Sequence, residues 1–316
     1  MADNVQVSIV IPVYNEEKNL VVLRDRLKPV MQGSGKSFEI IFIDDGSQDN
    51  SLVMLQEFTG DEHIRVVELT RNYGQHAAIM AGFSVCRGEI VVTMDADLQN
   101  PPEEIPKLIK VMEEGNYDVV GTIRKGRQDS FLRILPSKII NMVARKITGV
   151  GMHDWGCMLR AYRREVVERM IQCHEHATFI PALATVFGKR TTEIEVSHEE
   201  RFGGKSNYPL RKLVNLQFDL VASFSDFPIK LIMYGGIALS FLGVCFGIVL
   251  AVARLAYGAV WAAEGVFTLF AILFVFVGLQ FFALGVLGEY IGRIYLEVRK
   301  RPEYVIEEIY SAKGKE

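Results

Sequence analysis

The sequence predicts an α/β protein: a mainly parallel, Rossmann-like sheet, then amphipathic juxtamembrane helices and a two-helix transmembrane hairpin. Two observations carry this. Short apolar runs of strand length alternate with amphipathic helical patterns from residue 6 to about 122, the pattern of a sheet covered by helices on both faces. Two uncharged runs, 231–253 and 265–288, are each longer than the ~20 residues a helix needs to cross a ~30 Å hydrocarbon core. The implied organisation is a globular α/β domain over 1–205, an interfacial helix over 206–228, the transmembrane pair within 229–290, and a tail with one short strand over 291–316.

The strands come first in each unit. Gln6–Val13 is an apolar run ending in Pro-Val-Tyr-Asn-Glu, and a helical pattern follows over about 16–31. Phe38–Ile43 is the second strand and runs into Asp44, Asp45, Gly46 and Ser47, after which Asp49 is placed to cap a helix through 50–58. Ile64–Leu69 is the third strand, with a helix over about 74–86. Glu89–Met94 is the fourth and ends in Asp95-Ala-Asp97. Pro101, Pro102, Glu103 and Glu104 open the next helix, with proline in the first turn and acids at the positive end of the dipole. Tyr117–Thr122 is the fifth strand. The tail segment Glu303–Tyr310 has strand character and is too short to fold alone, so it reads as an addition to the edge of a neighbouring subunit's sheet.

Composition excludes several classes. Of 316 residues, 49% are hydrophobic and 23% charged, which rules out a disordered chain. The net charge of −3, from 35 Lys and Arg against 38 Asp and Glu, lacks the basic excess of nucleic-acid binders, so no nucleic acid partner is expected. Four scattered cysteines at 86, 157, 173 and 245 form no CxxC pair and point to a reducing compartment. Residues 1–6 lack a basic leader and an apolar core, so no cleaved signal peptide is expected. Arg211, Lys212 and Lys230 flank the apolar pair on one side and Arg293, Arg299, Lys300 and Arg301 on the other. The positive-inside rule then puts both flanks, both termini and the α/β domain in the cytoplasm.

In such sheets ligands bind beyond the carboxyl ends of the strands. That edge carries Asn15 and Glu16, Asp44 and Asp45, and Asp95 and Asp97. Asp45-Gly46 alone is ordinary turn chemistry, but three rims of acids would repel unless a cation or hydrogen-bond donors compensated them. Familiar phosphate loops are missing: Gly35-Lys36-Ser37 resembles a P-loop ending, but position 30 is Val, and no GxGxxG follows a strand. An Asp-x-Asp at a strand end can instead hold Mg²⁺ or Mn²⁺ with positions left open for diphosphate oxygens. Cys173-His174-Glu175-His176 matches no usual zinc spacing and reads as structural. His76 reads equally as a sugar contact or as a packed or surface histidine.

Val10–Glu16, Asp44–Ser47 and Asp95–Pro102 resemble the inverting family 2 glycosyltransferases with a GT-A fold. The C-terminal hairpin makes the chain similar to the polyprenyl-phosphate glycosyltransferases among them. Arg71–His76, Gln99–Pro106, Gly156–Tyr162, Trp261–Phe267 and Leu287–Tyr295 narrow the resemblance to members that move 4-deoxy-4-formamido-L-arabinose for lipid A modification and polymyxin resistance. It spans nearly the whole chain, and the Gln-x-x-Arg-Trp motif of processive synthases is absent. What the resemblance implies is a UDP-sugar donor, undecaprenyl phosphate as acceptor, Mg²⁺ or Mn²⁺ as cofactor, contact with membrane lipids, a homo-oligomer (a tetramer in similar enzymes) and a place in the bacterial inner membrane.

The resemblance also assigns residues. Pro12, Tyr14 and Glu16 would form the first nucleotide wall, and Asp44 would accept from the uracil ring N–H. Asp95 and Asp97 would be the Asp-x-Asp, with Asp97 and Gln99 on the metal. Arg124 would contact the diphosphate or acceptor. Arg133, Ser137 and Arg201 would hold the acceptor lipid phosphate, and Asp154 stands where the family often has a catalytic carboxylate. Arg133 and Ser137, four apart, share one helix face. Residues 124–146 carry seven basic residues and one acid, which suits either a solvated face or a patch facing anionic headgroups. A lipid phosphate has a second pKa of about 6 and is largely dianionic at neutral pH. It needs no strong base, so Asp154 reads as an orienting group or as a loop-fixing one. Glucose or mannose transfer to a polyprenyl phosphate remains an alternative, as does a non-catalytic nucleotide-sugar-binding subunit, which the Asp-x-Asp and the arginine pair argue against.

Overall fold

The computed structural model describes residues 5–124, 156–173, 179–197, 199, 227–257, 266–299 and 301–315. The chain divides into two compact units, residues 1–213 with 301–316, and residues 214–300.

The described residues of the first unit form a nine-stranded sheet. In chain order its strands are β1 Val7–Val13, β2 Phe38–Asp44, β3 Ile64–Leu69, β4 Ile90–Thr93, β5 Val119–Arg124, β6 Arg160–Arg163, β7 Thr191–Val196, β8 Ile306–Ser311 and β9 Gly314–Lys315. They lie side by side as β7-β5-β6-β4-β1-β2-β3-β8-β9. The pairs β1–β2, β1–β4, β2–β3 and β5–β7 are parallel, while β6 runs antiparallel between β4 and β5. Because β6 reverses direction between them, the carboxyl ends of β1 through β5 all open on the same edge.

The helices are α1 Leu20–Gly33, α2 Ser51–Phe58, α3 Gln75–Val85, α4 Ile105–Glu114, α5 Arg164–Ile171 and α6 Ile180–Phe187. Strand side chains alternate between two cores, as the period of two requires. Ile9, Ile11, Val13, Ile40 and Phe42 meet Leu20, Leu23, Leu27, Leu55, Leu108 and Met112 on one face. Val10, Ile41, Ile43 and Val67 meet Ala78, Ile79, Phe83, Val167, Met170 and Leu183 on the other. So α1, α2 and α4 cover one face and α3, α5 and α6 the other.

Every strand and helix read from the sequence up to residue 122 is present, with shifted ends. The first helix starts at Leu20 rather than 16, because Asn15 sits at φ 56, in the left-handed region, and the chain turns through Asn19 N–H to the Glu16 carbonyl before the helix begins. Asp49 does serve the start of α2: its carboxylate accepts from the Ser51 N–H at 2.9 Å. Pro102–Glu104 forms one 3₁₀ turn ahead of α4. Its two acids also take partners beyond the turn: Glu103 pairs with Arg26 at 2.9 Å, and Glu104 accepts from the Ser197 N–H at 3.0 Å.

The tail corrects the sequence reading. Its strand, β8, pairs antiparallel with β3 of its own sheet, and β9 turns back on β8. Tyr310 Oη donates to Glu68 Oε2 at 2.6 Å, and Tyr310 packs on the core that β1 and β2 share. An edge strand with free N–H and C=O groups takes whichever partner is within reach, and here that is β3.

The second unit contains two long helices, α7 Phe227–Tyr257 and α8 Val266–Arg299. Both are long and apolar enough to cross a membrane, over Ile232–Tyr257 and Val275–Gly292. Their apolar side chains are widely exposed, Leu255 to 87%, which a soluble protein avoids on this scale. The segment expected as an interfacial helix lies outside the described residues apart from its last two positions, which belong to α7.

Candidate active site

The common carboxyl edge gathers the acids. Val13, the last residue of β1, stands beside Asp44, the last of β2, and Val10 stands beside Thr93, the last of β4. The segments that leave these strands, starting at Tyr14, Asp45 and Met94, therefore leave on one edge, the first two side by side and the third from the level of Val10. Asp45 N–H bonds back to the Val13 carbonyl at 2.9 Å and Met94 N–H to the Val10 carbonyl at 3.1 Å, which carries the ladder one step past the strands.

Asp44 is buried. One oxygen, Oδ2, accepts from the Ser47 N–H at 3.1 Å, while the other, Oδ1, is buried with no partner. Such an atom costs about 1–3 kcal/mol if nothing reaches it, so it stands as an open acceptor. Burial is the first cause that raises this carboxyl above the usual carboxylate range, opposed by hydrogen bonds from Ser47. Next to it, Asn15 and Ser47 lock the β1 and β2 loops: Asn15 N–H donates to Ser47 Oγ at 3.1 Å and Gln48 N–H to Asn15 Oδ1 at 2.7 Å. Pro12 is half-buried within β1, and Tyr14 is exposed at 42% beyond its end, with its ring open to a ligand.

Asp95, Asp97, Glu16 and Arg124 form one electrostatic cluster. Burial first, then the charge of Asp97, push the Asp95 carboxyl up to about 7, with a smaller push from Glu16; Arg124 and a hydrogen bond from Gln75 act the other way. Gln75 Nε2 donates to Asp95 Oδ1 at 2.5 Å. Asp97 is partly exposed, and its Oδ1 accepts from the Gln99 N–H at 3.1 Å, which folds the Asp-x-Asp turn on itself. Leu98 between them sits at φ 61 and is buried.

Asp45, read from sequence as a turn residue, ties two loops together. Its carboxylate accepts from the Tyr73 N–H at 2.7 Å and the Gly74 N–H at 2.9 Å. Gly74 occupies φ 96, which lets the chain turn into α3 with Gln75 at its first position. The sequence places Asp45 on the rim but does not reveal its partners, and Gln75 is not legible as a site residue although it lies in a motif that stands out. What joins them is a loop crossing that spacing along the chain does not reveal.

His76 is packed. Its ring stands edge-on to Phe179 with centroids 5.4 Å apart, its Nδ1 is buried without a partner, and burial lowers its pKa to about 4. Behind the rim, Thr122 Oγ1 donates to the Leu159 carbonyl at 2.8 Å and Thr93 Oγ1 to the Met158 carbonyl at 2.6 Å, which fixes the start of β6 against β4 and β5. Asp154, Arg133, Ser137 and Arg201 lie outside the described residues, as do His174, Glu175 and His176.

Among the described residues no group of three or more His, Cys, Asp or Glu is set to hold a metal by itself. A cation such as Mg²⁺ is commonly held by one or two carboxylates with substrate phosphates and water supplying the rest. Crowded negative charge with few protein ligands fits that kind of site and does not fit a closed structural one.

Residues 8–171 match the family model described as glycosyl transferase family 2. The chain is 53% identical over 310 residues to the undecaprenyl-phosphate 4-deoxy-4-formamido-L-arabinose transferase of Proteus mirabilis (strain HI4320), covering 98% of this chain and 95% of that protein. It is 52% identical over 313 residues to the protein of the same name from Yersinia pestis (strain Pestoides F), with the same coverage. Among solved structures it is similar to glucosyl-3-phosphoglycerate synthase from Mycobacterium tuberculosis in complex with Mn²⁺ and UDP-glucose, with a TM-score of 0.51 at 18% identity over 69% of this chain and 77% of that one. That likeness is one of fold, and it is the GT-A arrangement. The strand order, the acids on one carboxyl edge and the near full-length identity agree: the chain is a glycosyltransferase and belongs to glycosyl transferase family 2.

Proposed function

We propose that this enzyme transfers 4-deoxy-4-formamido-L-arabinose from UDP to undecaprenyl phosphate, with inversion, at the cytoplasmic face of the bacterial inner membrane. The observation that carries this is identity above 50% over 98% of the chain to relatives that bear that activity in their names. The rim supports it with chemistry. Asp44 Oδ1 is a buried acceptor with nothing to accept, and a uracil N–H would satisfy it. Pro12, Tyr14 and Glu16 would wall the nucleotide, and Asp95 would meet the ribose or sugar.

When UDP leaves, negative charge grows on the diphosphate oxygens. Arg124, already close enough to act on Asp95, would share that charge. Asp97, with Gln99, would hold Mg²⁺ or Mn²⁺; a bound divalent cation neutralises diphosphate charge and orients it. The acceptor phosphate brings its own nucleophilic oxygen, dianionic above a second pKa of about 6, so no residue has to remove a proton. Asp154 then orients sugar or acceptor. Arg133, Ser137 and Arg201 hold the lipid phosphate, and the two apolar helices anchor the enzyme beside its lipid substrate in a homo-oligomer.

Asp97→Asn tests the donor side. The substitution weakens a cation ligand at a partly exposed position, so turnover should vanish while the melting temperature holds. An Asn variant that turned over at the wild-type rate in the presence of a chelator would remove the metal role from this residue.

A further inference from the structure

We infer that Gln75 is a positioning residue for donor binding: its side-chain amide holds Asp95 in the orientation that the nucleotide sugar meets. The inference rests on the donor reading of the rim. Gln75 opens α3, and its Nε2 donates to Asp95 Oδ1 at 2.5 Å. The residue is exposed, so it fills no core and its side chain is held by this bond rather than by packing.

Its placement is determined from two residues away. Asp45 accepts from both Tyr73 and Gly74 N–H, and Gly74 at φ 96 turns the chain so that the next residue starts the helix. Gly46 brings the loops into contact: a Cβ there would lie 2.6 Å from the Arg71 carbonyl carbon. The β2 end, the β3–α3 loop and the β4 end are thereby tied in series, Asp45 to Gly74 and Gln75 to Asp95.

An amide suits this role. Asp95 is already repelled by Asp97 and Glu16, so a third carboxylate would worsen the crowding, and a lysine would compete for the diphosphate as a fixed cation. A neutral N–H fixes one oxygen of Asp95 and leaves the other open, with no added charge.

The test uses the full-length chain in nanodiscs, with UDP and MnCl₂ in calorimetry, and donor and acceptor KM in turnover. Gln75→Leu should raise the UDP dissociation constant about tenfold, the scale of losing a hydrogen bond to a charged group. Gln75→Glu, equal in length, should raise it further. The KM for undecaprenyl phosphate and the melting temperature should stay at wild-type values. In an Asp95→Asn background Gln75→Leu should add nothing, because both act on one contact. If Asp95→Asn leaves UDP affinity intact, the donor reading of the rim is what fails. If Asp95→Asn weakens UDP while Gln75→Leu does not, or the two losses add, the positioning role is overturned. It is equally overturned if Gln75→Leu lowers the melting temperature and both KM values change together.

Discussion

Gly46 lies against the backbone of Arg71: a Cβ at position 46 would stand 2.6 Å from the Arg71 carbonyl carbon and 2.9 Å from its Cα. Gly46 also occupies φ +68, where an L side chain is strained. Contact and strain act together at the point where the loop after β2 passes the loop after β3. Gly46→Ala should therefore cost about 1–3 kcal/mol, read as a lower melting temperature of the detergent-solubilised chain. It should also weaken UDP, because Asp45 and the Tyr73–Gly74 backbone must separate to admit the methyl. A variant with wild-type melting and wild-type UDP affinity would show that the two loops do not meet this closely.

His76 makes stability depend on pH with a definite sign. Burial lowers its pKa from 6.5 to about 4. A histidine depressed in the folded state contributes stability that is fully present above its unfolded pKa and is lost as pH falls through the folded one. The window is therefore pH 6.5 down to 4, and the contribution reaches up to about 3 kcal/mol. Melting should fall more steeply over that window in the wild type than in His76→Leu. Parallel curves would mean that the ring is accessible to water and protonates freely.

Much of the first unit is readable from the sequence for a physical reason. Parallel strands buried on both faces are nearly continuous apolar runs, so Val7–Val13 and Phe38–Asp44 stand out even with Ser8 and Glu39 inside them, which bond to each other, and the acids at their ends fall on the carboxyl edge. The antiparallel strand β6 is less visible because Arg160, buried within it, breaks the apolar run. Gln75 and the backbone partners of Asp45 are not legible because they come from a crossing of loops. The tail reads as a strand, but its partner does not follow from the pattern: strand character in Ile306–Ser311 says that an edge is needed and not whose edge it is. Tyr310 and Glu68, 242 residues apart, supply the specificity that the pattern alone lacks.

Arg133 separates acceptor from donor. In the proposed mechanism it holds the lipid phosphate through charge-assisted bonds, which can be bidentate. Arg133→Ala should raise the KM for undecaprenyl phosphate by the equivalent of about 1.5–3 kcal/mol and leave UDP binding near wild type. Lysine at 133 should restore only part, because a point charge lacks the planar fork. Loss of UDP affinity with an unchanged acceptor KM would move this residue to the donor side.

The central claim is the transfer itself. Purified full-length enzyme in nanodiscs with undecaprenyl phosphate and MgCl₂ or MnCl₂ is offered, one at a time, UDP-4-deoxy-4-formamido-L-arabinose, UDP-glucose and GDP-mannose, and the lipid product of a single turnover is identified by mass spectrometry. The expected result is undecaprenyl phosphate carrying one formamido-arabinose, inverted at the anomeric carbon, with little or no product from the other donors. Efficient transfer of glucose or mannose with none of the formamido pentose, or no lipid product from any donor, would contradict it.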